Sequence, residues 1–129
     1  MTEKKSFIVQ FTNSFNNFIV CTDQGFRTHD LNTCALKVNC EEIEHGVSLC
    51  QSYGNSSLFF LVGTINNEKF PTNKLCLWDD KTKTVVAEVQ FFDPIIDLKV
   101  VGGWVILADK KMTYIFNFEQ ESGLDHAIA

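Results

Sequence analysis

The chain has one arginine, Arg27, two prolines, and no apolar run close to the about 18 residues a membrane-crossing helix needs. Each shortage excludes something. A single arginine and a net charge of −5 leave no basic patch for nucleic acid. They also weigh against broad attraction to anionic membranes. The opening MTEKKSF places no apolar segment behind its lysines, so no secretory signal is expected and the expected setting is cytoplasmic. The five cysteines, Cys21, Cys34, Cys40, Cys50 and Cys76, are odd in number and lack CxxC spacing, which argues against a disulfide framework and a zinc ribbon. Cys34, Cys40, His45 and Cys50 match no familiar metal spacing, and free thiols in strands are the better reading. Gly102-Gly103 has no helix behind it, so no glycine-rich phosphate loop is present and no cofactor is implied.

Phenylalanine is what the chain has in quantity: twelve of 129 residues, in a composition 45% hydrophobic and 21% charged. That composition suits one folded domain with a modest core and a bias to strands. The stretch from Leu58 to Asp80, LFFLVGTINNEKFPTNKLCLWDD, organises the rest. Its two apolar runs, 58–62 and 75–78, enclose the polar loop 64–73 and read as paired strands. Neither run alternates cleanly, so both faces of this hairpin are expected to be covered. Further strands are expected at 6–11, 18–22, 26–31, 35–39, 47–53, 84–90, 95–101, 104–108 and 112–118. Turns fall at Asp23-Gln24-Gly25, 54–57, 81–83, Gly102-Gly103 and 109–111. The acidic connector 41–46 has room for one helical turn.

The strands recur in phase. Second strands start near Phe18, Leu58 and Trp104, and the third-strand sequences FRTHDL, LCLWDD and TYIFNF begin at 26, 75 and 113. A four-stranded unit repeating every ~40–45 residues is the signature of a propeller blade. The fold class read from this pattern is all-β, with about three four-stranded antiparallel, WD-repeat-like blades, the third incomplete. The units are 6–45, 46–92 and 93–118, followed by a tail, 119–129. An ordinary antiparallel sandwich is the alternative, since it too uses short strands and frequent turns.

The loop and its flanks resemble the second blade of the PROPPIN family, the phosphoinositide-binding WD-repeat propellers of autophagy. The residues that carry the resemblance are Leu61-Val62-Gly63, Pro71 to Lys74 and Trp78-Asp79-Asp80. Thr22-Asp23-Gln24-Gly25-Phe26-Arg27 is similar to the family's Thr-x-x-Gly-Phe-Arg, and Tyr114-Ile115-Phe116-Asn117-Phe118 to its Tyr-Val-Tyr-x-Phe strand. The match runs from about Phe7 to Phe118. It departs at Gly63-Thr64-Ile65-Asn66, where the family has a glycine-rich start, and at Thr28-His29, where it has Ile-Tyr. The resemblance implies a scaffold that brings protein partners to phosphoinositide-marked phagophore or endosomal membranes. It points to the large lipid-transfer protein of autophagy as a partner of the second-blade region. The family's lipid contact depends on an Arg-Arg-Gly motif further along; this chain has no Arg-Arg pair, so specific binding of phosphatidylinositol 3-phosphate by these residues alone is not expected.

Catalysis finds little support. Asp79 and Asp80 are adjacent, and neighbouring strand residues point to opposite faces, so their carboxylates do not converge on one substrate. Capping a turn is the role expected of them. His29, His45 and His126 have no readable nucleophile partner, and no enzyme activity is expected. The site expected from the sequence is a protein-contact surface on the loop 64–73, carried by Glu68, Lys69, Phe70, Pro71 and Thr72. Phe70 either folds back on the blade or stands out as the anchor; the second reading makes it the hot spot, with the charges setting specificity. A chain of about three blades would also pair into a homodimeric ring or dock onto missing blades. A propeller-derived interaction module unrelated to autophagy is the alternative function, and a hydrolase in a propeller channel a remote third.

Overall fold

Turn residues cut the chain into short apolar segments, and each segment pairs with the next. The computed structural model describes residues 8–11, 16–54, 56–65, 67–118 and 126–128. Among these, β1 (Ile8–Phe11), β2 (Asn17–Cys21), β3 (Phe26–Asp30) and β4 (Leu36–Asn39) form a first antiparallel sheet. A second holds β5 (Val47–Ser52), β6 (Leu58–Gly63), β7 (Lys74–Asp79) and β8 (Thr84–Gln90). A third holds β9 (Asp97–Val101), β10 (Trp104–Ala108), β11 (Thr113–Asn117) and β12 (His126–Ile128). Strand order follows chain order in all three, the meander that makes a propeller blade.

The expected third unit stops at Phe118. Here β12 adds a fourth strand to it, with Thr113 opposite Ile128 and Ile115 opposite His126. Three residues are too few to show a period-two alternation, which is why this strand reads as tail in the sequence. The connector after β4 does hold one helical turn, Glu41–Ile43, closed by Glu44 in the left-handed region at φ 63°.

The second sheet is covered on both faces. Along β6, Phe59 and Leu61 enter one core cluster with Ile19, Cys21 and Phe26 of the first sheet. Their neighbours Phe60 and Val62 enter another, with Leu98, Val100, Val105 and Leu107 of the third. β7 divides in the same way: Cys76 and Trp78 to the first cluster, Leu75 and Leu77 to the second. Each fully buried side chain of this size contributes about 1.5–3 kcal/mol, so the two interfaces hold the three sheets together. The third sheet behaves differently. In β9, Leu98 and Val100 are buried while Asp97, Lys99 and Val101 are exposed, the alternation of a sheet covered on one face.

Backbone hydrogen bonds tie the sheets at the connectors. Val47 N–H donates to Thr22 O at 3.0 Å, and Glu44 N–H to Gln24 O at 2.9 Å. Between the second and third sheets Ile95 N–H donates to Thr72 O at 2.8 Å, and Val100 N–H to the buried Gln51 side-chain oxygen at 3.4 Å. Gly25 permits the β2–β3 turn: its φ is +149°, and a Cβ there would overlap the carbonyl oxygen of Cys40.

Candidate partner-binding surface

The loop 64–73 leaves β6 at Gly63 and is folded back on its own sheet. A side chain at Gly63 would overlap the backbone carbonyl of Phe70, so only glycine lets the returning chain pass this close. Asn67 is the brace. Its side-chain amide donates to Gly46 O at 2.9 Å, while its oxygen accepts the N–H groups of Lys69 at 3.1 Å and Phe70 at 3.0 Å. Phe70 then turns inward, 1% exposed, into the cluster between the first and second sheets. His45 meets its ring edge-on at 5.9 Å and the Lys69 ammonium lies 5.7 Å from the ring centroid. The loop's far end is pinned to the next connector: Phe91 N–H donates to Asn73 O at 2.8 Å, and the Asn73 amide donates to Phe91 O at 3.0 Å.

This placement corrects the role expected of Phe70. It folds back on the blade as part of the core, because burying its ring gains more than a polar loop surface could offer it. Of the other expected contact residues, Glu68 and Lys69 are exposed, and Pro71 and Thr72 are half-buried. The exposed apolar residue of the loop is Ile65, 79% exposed, next to Glu68 and Asn67 on one groove. A second residue missed in the sequence is Phe92, wholly exposed on the connector to the third sheet beside a groove containing Met112 and Tyr114. Just past the expected strand 84–90, Phe91 is buried and Phe92 faces the solvent. Alternation across that pair was the signal available.

Asp79 and Asp80 serve separate tasks. Asp79 accepts the Ser57 hydroxyl at 2.7 Å and the Lys81 amide at 2.9 Å, which hold its carboxyl below the usual range. Asp80 joins the first two sheets: its Oδ1 accepts the Cys40 thiol at 2.8 Å, the Lys83 ammonium at 2.7 Å and the Trp78 indole N–H at 3.4 Å. Lys83 also pairs with Glu42 at 3.1 Å. Partial burial pushes the Asp80 carboxyl up, but its three donors outweigh that and leave it below its ordinary value. Cys21, Cys40, Cys50 and Cys76 are buried, and burial pushes the Cys21 thiol up to about 12 and that of Cys76 to about 11. Such thiols are poor nucleophiles. No cluster of three or more His, Cys, Asp or Glu side chains is placed to hold a metal among the described residues. Nor is any helix there long and apolar enough to cross a membrane.

Three meandering four-stranded sheets stacked face to face define a run of β-propeller blades. Solved structures agree. The chain superposes on Hsv2 of Kluyveromyces marxianus with a TM-score of 0.77 at 16% identity, covering 95% of this chain and 40% of that one. It superposes on KlAtg21, solved in complex with the coiled coil of AgAtg16, with a TM-score of 0.72 at 18% identity over 94% of this chain and 38% of that one. No protein-family model matches the chain. Curated relatives do. SVP1-like protein 2 of Neurospora crassa is 33% identical over 99 residues, 77% of this chain and 23% of the relative. Autophagy-related protein 18e of Arabidopsis thaliana is 29% identical over 105 residues, 80% of this chain and 28% of the relative. The chain belongs to the PROPPIN family of propellers and spans less than a third of the length of these relatives.

Proposed function

We propose that the chain is the protein-contact part of a non-catalytic autophagy scaffold, one that brings partners to phosphoinositide-marked membranes. The observation that carries this reading is the loop 64–73. Its inner residues brace the blade, and the side chains of Ile65 and Glu68 are left to solvent, with the exposed Lys69 ammonium over the Phe70 ring beside them. Phe92, wholly exposed on the connector pinned to the loop by Asn73, is assigned the anchoring role first expected of Phe70. A partner is supported by the similar propeller KlAtg21, whose structure was solved with a coiled coil. The lipid-transfer protein of autophagy is the second partner class that the family resemblance supports. The setting that follows is cytoplasmic, with peripheral attachment to phagophore or endosomal membranes. The residues of this chain supply no adjacent arginine pair, so the role assigned to them is the protein contact and not the lipid headgroup.

Titration calorimetry with a coiled-coil segment of an autophagy protein tests this. Binding by the unaltered chain, and its loss in an Ile65→Ser, Glu68→Ala, Phe92→Ser variant that keeps its melting temperature, is the expected result. Undiminished binding by that variant overturns the assignment of the surface. Liposome flotation separates the lipid question: the expectation is weak, salt-sensitive recruitment without preference for phosphatidylinositol 3-phosphate over phosphatidylserine.

A further inference from the structure

Strand register matches the three sheets residue by residue. In the second sheet Phe59 opposite Trp78 and Leu61 opposite Cys76 face the first sheet. In the third, Val105 opposite Phe116 and Leu107 opposite Tyr114 face the second. The matching pairs of the first sheet are Phe18 with His29 and Val20 with Arg27. They lie on the face away from the second sheet, since Ile19, Cys21 and Phe26 enter the cluster between the two. On the opposite faces, Ile19 with Thr28 and Phe60 with Leu77 are buried by the sheet that follows. Their counterpart in the third sheet is Ile106 opposite Ile115, flanked by Trp104 and Thr113. The first sheet's Arg27 face and the third sheet's Ile106 face thus have no described sheet packed on them.

Both faces bear the marks of a contact left open. On the third sheet Trp104 is 43% exposed and Val101, directly opposite it, 58%, with Ile106 and Ile115 half-buried alongside. Four apolar side chains on three adjoining strands are a patch and not a scatter. On the first sheet Arg27, the chain's one arginine, makes no ion pair among the described residues. Its Nε is buried with no hydrogen-bond partner. Such a donor is costly unless an acceptor arrives from outside.

We infer that these two faces bind each other between two copies of the chain. The Ile106 face of one copy packs on the Arg27 face of the second, and the reciprocal contact closes a ring. Two copies of three sheets make six, within the about four to eight blades of closed propellers. A second copy is the occupant because the contact repeats a packing that the chain already makes twice. Phe18 and Val20 meet the apolar patch. Cys76, at Arg27's register position, shares a cluster with Phe26, whose position in the third sheet belongs to Thr113. The Thr113 hydroxyl is therefore the acceptor that Arg27 meets. Neither face includes the loop 64–73, so the ring and the partner surface are tested apart.

Sedimentation of the full chain over a wide concentration range tests the pairing. A dimer that dissociates on dilution is expected, with no larger species. Ile106→Glu on one face and Arg27→Glu on the other should each weaken the dimer about a hundredfold or more, since each places an unpaired charge in both contacts. Mixing the two variants should restore a dimer, because the unaltered face of each meets the unaltered face of the other. Circular dichroism checks that each variant keeps its strands. If either unfolds, Trp104→Glu replaces Ile106→Glu and His29→Glu replaces Arg27→Glu. A chain that is monomeric at every concentration overturns the inference and leaves further blades of another polypeptide as the cover. A dimer untouched by the variants, or one that mixing fails to restore, places the contact elsewhere and overturns it too. Growth into open polymers would overturn the closed ring.

Discussion

The loop 64–73 and the turn between β10 and β11 occupy equivalent places in neighbouring sheets, and they are built on different principles. The turn spans 109–112 and is held by one carboxylate. Asp109 accepts the amides of Lys111 at 2.7 Å and Met112 at 2.8 Å, and its own N–H donates to Met112 O at 3.0 Å. The loop uses a neutral amide, Asn67, and a buried ring, Phe70, for the same purpose. What they leave over is the exposed surface of Ile65 and Glu68. A connection longer than its sheet requires, yet firmly braced, is the arrangement expected of a binding loop.

The brace is the first thing to break. Gly63→Ala forces a methyl group into the Phe70 carbonyl, and the loss should be about 4 kcal/mol or more, read by urea denaturation. Phe70→Ala empties a fully buried site and should cost about 3–5 kcal/mol in the same measurement. A small effect there would return Phe70 to the surface. Asn67→Ala removes three hydrogen bonds and leaves the Gly46 carbonyl and two loop amides without it; about 1–3 kcal/mol is expected.

A pH titration sharpens the contrast between the two connections. The Lys111 and Met112 amides hold the Asp109 carboxyl below its ordinary value. Its contribution to stability is complete above the unfolded-state value of about 3.9 and is lost as pH falls through the lower folded-state value. Asn67 does not titrate. Hydrogen exchange should therefore show the β10–β11 turn amides losing protection in acid before Lys69 and Phe70 do. Asp109→Asn should abolish that difference.

Much of this was legible in the sequence. The unbroken apolar runs of β6 and β7 announce a sheet covered on both faces, and the alternation in β9 a sheet covered on one. The in-phase recurrence of strands gave the blades. The proposed contact surface was legible only in position. A phenylalanine beside a proline in a polar loop has two solutions, and the choice between them rests on Gly63, whose missing side chain lets Phe70 reach the core. Sequence spacing does not report that approach, so burial of Phe70 and exposure of Ile65 and Phe92 are features of the fold alone. β12 was missed for a simpler reason: three residues carry no pattern.

In the function proposed above, the loop's outer residues serve a partner and its inner residues serve the fold. Ile65→Ser and Phe70→Ala, compared side by side for melting temperature and for affinity to the coiled-coil segment, test it most directly. Ile65→Ser should alter stability by no more than about 0.5 kcal/mol and weaken binding about fivefold, while Phe70→Ala should melt far earlier. An Ile65→Ser variant that binds normally, or a Phe70→Ala variant that stays folded and loses only the partner, would contradict it.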